Sequence, residues 1–159
     1  MEILDKLYKS SRANLIAFAE FVAKTSQKIG TNEASKLLRE TFEASGKYQG
    51  LKLKSQSEAS YIDAEEAYSL IKIIPENIGI AWEILEDSPD RIIIKVNRSP
   101  FYDACKVAGI NPEQFYIDSA IVFMDTIVQH LNPEFQYELL TFKFSDAGFC
   151  EEQITLKSS

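Results

Sequence analysis

Apolar positions recur at helical spacing from Glu2 to about Ile29. Leu4, Leu7, Leu15, Phe18, Val22 and Ile29 make one stripe, with Asn14 as an exception. Ile16, Ala17 and Phe21 widen that stripe beyond what one neighbour usually covers. A second helix of the same chain is the simpler partner for it, and a partner chain is the other. Gly30 ends the helix, and Thr31-Asn32-Glu33 starts a second one with a capping side chain at Thr31 or Asn32. Leu37, Leu38 and Phe42 carry the second helix to about Ala44. From Ser45 to Ser60 the pattern loosens around Gly46, Gly50 and several serines, and the segment reads as a loop continuing a frayed helix. A third helix is predicted over Asp63 to Ile73, with Ala67, Leu70, Ile71 and Ile74 on one side, and Pro75 stops it.

The period changes at Gly79. Ile80, Trp82 and Ile84 alternate with Ala81, Glu83 and Leu85, as in a strand with one buried face. Asp87-Ser88-Pro89-Asp90 is turn chemistry, and the β-branched run from Arg91 to Asn97 returns as the second strand of a hairpin. Ser99-Pro100 opens a helix over Phe101 to Ala108 that ends at Gly109. Asn111-Pro112-Glu113 opens the next, which runs to about Leu131. Its apolar residues surround most of its circumference, which marks it as central. Phe135 to Phe144 alternates again, and Ser145-Asp146-Ala147-Gly148 turns it back into Phe149 to Leu156. The expected fold is an α+β domain over 1–159. A helical layer spans 1–75. An antiparallel sheet of two hairpins, packed with a long central helix, spans 79–157.

Composition narrows the function classes. At 159 residues the chain is long enough to bury a real core. A net charge of -7 disfavours a nucleic-acid or anionic membrane partner. No window approaches the ~20 apolar residues of a membrane span, and the N-terminus lacks the features of a secretion signal. A cytoplasmic location is the expectation. The two cysteines, Cys105 and Cys150, are too few for a disulfide framework and cannot alone build a four-ligand zinc site. No cofactor or metal is expected.

Candidate chemistry is sparse. There is no glycine-rich phosphate loop and no nucleophile elbow. The only histidine, His130, reads either as a helix-end residue against the last carbonyls or as a general base. Asp118, Val122, Asp125 and Gln129 recur at helical intervals, so the two carboxylates either flank a pocket or form a solvated face. Cys105 and Cys150 read as small core residues unless a nearby cation or helix N-terminus activates the thiol.

One set of residues carries a family resemblance: Val96-Asn97-Arg98-Ser99-Pro100-Phe101-Tyr102, Ala108-Gly109, Phe115-Tyr116-x-Asp118, Leu131-Asn132-Pro133 and Cys150. In this order and spacing the stretch resembles the L-2-amino-thiazoline-4-carboxylic acid hydrolase-like family and the related vinyl-reductase-type small-molecule-binding domains. The resemblance implies a ligand-binding fold shared with haem–nitric-oxide sensor domains and vesicle-tethering subunits, and a homodimer built by the N-terminal helices. Family members tend to carry three thiols where this chain has Ser99, Tyr116 and Cys150. With two of them absent, a soft-metal or haem site is poorly provided for. What the resemblance leaves is a mostly apolar cavity with Ser99, Tyr116, Cys150 and Asp118 as polar candidates and Trp82 and Tyr102 on its apolar side. A small hydrophobic or organic-acid ligand suits it. Three functions follow as expectations: a small-molecule-binding or sensor-type domain, a hydrolase of a cyclic amidine or thiazoline-like acid using Cys150 or water, and an interaction module built on the N-terminal helices.

Overall fold

The computed structural model describes residues 2–144 and 149–158. Helix α1 spans Glu2–Ile29 and α2 spans Thr31–Gln56, separated only by Gly30. Gly30 has φ +91°, a conformation that lets the chain reverse within one residue. It occupies the cap position of α2 itself, with no side-chain hydrogen bond, so neither Thr31 nor Asn32 plays the capping part expected of it.

Helix α2 also continues well past Ala44, through the segment expected to be a loop. The glycines there do not interrupt the helix; they let it lie close to another. A Cβ on Gly46 would stand 2.8 Å from the Phe123 carbonyl oxygen, and one on Gly50 would stand 2.8 Å from the His130 Cβ. Small residues one turn apart let two helix axes approach closely, and here the partner is α7 (Val122–Leu131).

Helix α3 spans Ala64–Ile71, capped by the Asp63 side chain, which accepts from the Glu66 amide at 2.9 Å. A one-turn helix, α4 (Ile73–Glu76), follows and contains Pro75. Proline is tolerated there because a first-turn N–H has no intrahelical partner to lose. Gly79, with φ +79°, then presses against α1. A Cβ at that position would fall 2.4 Å from the Tyr8 amide nitrogen and 2.6 Å from the Leu4 carbonyl oxygen.

Strands β1 (Trp82–Ser88) and β2 (Arg91–Val96) form the first hairpin, closed by Pro89 and Asp90. Helix α5 (Pro100–Ala108) carries Pro100 in its first turn and ends at Gly109, whose φ of +69° is the left-handed cap. The penultimate helix is not uniform. It begins as α6 (Pro112–Tyr116), capped by Asn111, widens into a π turn over Ile117–Ile121 and resumes as α7. Strands β3 (Phe135–Phe142) and β4 (Cys150–Leu156) complete the sheet. The turn expected at 145–148 lies outside the described residues.

The sheet order is β1-β2-β4-β3, antiparallel throughout, so the two hairpins join through β2 and β4. One face carries Ile92, Ile94, Val96, Cys150, Ile154, Phe135 and Tyr137 into a core shared with α3 and α7. The other face is polar. Arg91 donates to Gln153 at 2.8 Å, and Gln153 donates to Glu138 at 2.6 Å. This is the alternation expected of a sheet covered on one side. A second apolar cluster, around Ala19, Leu38, Ala104, Cys105 and Phe115, joins α1 and α2 to α5 and α6. Leu15, Phe18 and Val22 pack into it, so this part of the α1 stripe is covered by the same chain, whereas Phe21 and Ile29 stay exposed. Strand β1 lies at the sheet edge and bulges between Ile84 and Glu86, leaving Ile84 45% exposed where alternation predicts burial. Among the described residues, no helix is long and apolar enough to cross a membrane.

Candidate functional site

Where the helical layer meets the sheet, the side chains leave an apolar pocket of about 190 Å³. Phe42 of α2, Phe101 of α5, Ala120 of the π turn, and Phe123 and Met124 of α7 form its helical walls. Ile74, Pro75, Ile78 and Ile80 close one side, and Trp82, Val96 and Tyr137 come from the sheet. The only ionisable carboxyl among the lining residues is Glu152.

Glu152 sits in the middle of β4, between Ile94 on β2 and Leu139 on β3, and is 3% exposed. Strand periodicity puts it on the same face as Cys150 and Ile154, which is the core face. Three neutral donors meet its carboxylate. Tyr116 donates to Oε1 at 2.7 Å, Cys150 Sγ donates to Oε1 at 2.9 Å, and the Tyr137 hydroxyl donates to Oε2. No Lys, Arg or His lines the pocket, and among the described residues none forms an ion pair with Glu152.

The network fixes the protonation of its donors. Burial, then the charge of Glu152, pushes the Tyr116 and Tyr137 hydroxyls well above the usual phenol range. The same two causes, in the same order, raise the Cys150 thiol. A thiol held as S–H is a hydrogen-bond donor; a nucleophile would need the thiolate. Cys105 is buried among apolar groups, and burial alone pushes it up to about 12.

The expected site residues divide between several places. Trp82 and Tyr116 line the pocket, and Cys150 reaches it through Glu152. The Trp82 indole N–H is buried with no partner. Ser99 and Tyr102 belong instead to a separate polar cleft of about 250 Å³ with Tyr8, Arg98 and Asp103. Tyr102 stacks on Phe144 there, at 5.3 Å between ring centroids. Ser99 is 3% exposed, and its hydroxyl makes no hydrogen bond. It follows closely on Val96, which pairs with Cys150 across β2 and β4, so the two sites share a strand end. Asp118 faces the helical layer. It accepts from Arg39 at 3.0 Å, from Gln114 at 2.9 Å and from Ser35, a structural clasp between α2 and the π turn. His130 Nδ1 lies 2.8 Å from the Thr126 carbonyl oxygen, the helix-end arrangement. Asp125 accepts from the Tyr137 amide at 2.8 Å and pins α7 to β3.

Two members of the polar network escape a reading of the sequence, Glu152 and Tyr137, as do most of the apolar residues that line the pocket. A signal for Glu152 was present, because it shares strand parity with Cys150. Among the described residues, no group of three or more His, Cys, Asp or Glu side chains is placed to hold a metal ion. Comparison with protein-family models, with curated proteins and with solved structures gave no match.

Proposed function

We propose that this protein is a small-molecule-binding or sensor-type domain whose ligand occupies the pocket between the helical layer and the sheet. The observation that carries this reading is the buried carboxylate of Glu152 at the edge of an otherwise apolar hollow, held by three neutral donors and no cation. Burying a carboxylate costs free energy that an apolar residue in the same strand would not. Such an expense is characteristic of a recognition site, where a few placed polar groups orient a ligand against apolar walls. Size restricts the occupant. An apolar cavity of about 150 Å³ accepts a benzene ring, so about 190 Å³ suits a single ring with a short substituent.

The pocket contains its own reporter, because Trp82 is the only tryptophan of the chain. Titration with ring-sized apolar compounds should change Trp82 emission saturably and raise the unfolding temperature in step with occupancy. Ala120→Phe puts a ring into the hollow from the π turn, and should abolish both responses while the fold persists. Responses that survive this substitution would place the binding elsewhere and defeat the proposal.

A further inference from the structure

We infer that the ligand is a compact amine, with an ammonium group against Glu152 and a ring-sized apolar body between Phe101, Phe123 and Trp82. This deepens the binding reading above and rests on it. Charge comes first. Among the described residues the other deeply buried carboxylate, Asp118, has the Arg39 guanidinium at 3.0 Å, whereas the partners of Glu152 are hydroxyls and a thiol. An ammonium would supply the missing counter-charge, and charge-assisted hydrogen bonds are the strong ones.

Acceptor capacity agrees. A carboxylate offers about four lone-pair sites. Oε1 already takes two donors, Tyr116 and Cys150, while Oε2 takes only the Tyr137 hydroxyl. Among the described residues one acceptor site on Oε2 is therefore unfilled, on a residue that lines the pocket. The walls suit a cation as well. Phe101, Phe123, Trp82 and Tyr116 present aromatic rings, whose faces attract positive charge. An organic-acid ligand, the alternative raised by the sequence, would bring a second negative charge against Glu152 with no Lys, Arg or His in the lining to offset it.

The test ranks three probes of similar size on the full chain at neutral pH, by ligand-observed NMR: benzylamine, toluene and benzoate. Benzylamine should bind about 10-fold or more tighter than toluene, the worth of one buried charge-assisted hydrogen bond. Benzoate should not bind. Glu152→Gln should erase the advantage of benzylamine over toluene. If toluene matches benzylamine, or benzoate binds best, the amine inference fails while the binding pocket stands. If neither toluene nor benzylamine binds, the binding reading fails and takes the inference with it. The ranking on the unmodified chain decides between these outcomes even if Glu152→Gln does not fold.

Discussion

At the scale of single residues, the carboxylate of Glu152 and its three donors form a unit in which each member needs the others. Tyr137→Phe leaves Oε2 without its protein donor, and should cost about 1–3 kcal/mol of stability in denaturant unfolding. Tyr116→Phe should cost less, because Cys150 still donates to the same oxygen. The thiols give a second check. With Cys150 and Cys105 both buried and held protonated, neither should react with a thiol reagent in the native protein at pH 8, and both should react once it unfolds. Alkali gives a third. Burial, reinforced by the Asp103 carboxylate, raises the Tyr8 hydroxyl from 10.0 to about 12, and burial raises Cys105 from 9.0 to about 12. Between pH 9 and 12 the unfolded chain gives up protons that the folded chain keeps, so this contribution to stability is complete below pH 9 and falls as the pH rises. Thermal unfolding followed from pH 8 to 11 should show the midpoint dropping across that window. Much of this site was hidden in the sequence for a physical reason. Glu151-Glu152 looks like solvent-facing strand polarity, and only the parity shared with Cys150 betrays that the second glutamate points inward. Tyr137 reads as one more apolar residue in an alternating strand, because its hydroxyl partner lies on another strand.

At the scale of elements, the departures from the expected pattern occur where two helices touch. Gly46 and Gly50 lower helix propensity, and so suggest a loop when α2 is considered alone. Their value lies in what α7 needs from them, which no local pattern displays. Gly46→Ala should therefore destabilise the protein by about 1–3 kcal/mol, although alanine is the better helix former. A Cβ 2.8 Å from the Phe123 carbonyl oxygen must move backbone, and that cost exceeds the propensity gain of about 1 kcal/mol. Gly79→Ala should be worse, since its φ of +79° and the 2.4 Å approach to the Tyr8 amide both forbid a side chain. Denaturant midpoints of the two variants check the order. The π turn over Ile117–Ile121 is the other unsignalled feature. It displaces the helix register between Tyr116 and Phe123, and Ala120 within it lines the pocket. Insertions of this kind are found preferentially at functional sites. Elements with their own signals were legible: the helix starts at Asp63 and Asn111, Pro100 in the first turn of α5, and Gly109 at its end.

At the scale of the whole molecule, the two hairpins and the apolar penultimate helix could be read from periodicity, and the α+β class with them. Their assembly into the order β1-β2-β4-β3 depends on which strand edges meet, and sequence alternation says nothing about that. The site inherits the same division. Residues on one stretch of chain could be grouped from the sequence, but the pocket draws on α2, α4, α5, α6, the π turn, α7 and all four strands, so its membership is a property of the assembled fold. That is why Tyr102 and Ser99, neighbours of Phe101 in sequence, end in a different cleft. The most direct test of this account is a crystal of the full chain soaked in bromobenzene, with the bromine located by anomalous scattering. The bound ring should lie between Phe101, Phe123 and Trp82, with the Tyr116–Glu152–Tyr137 hydrogen bonds intact. A map with no bromine in that space, or with the hollow filled by the side chains that line it, would contradict the account.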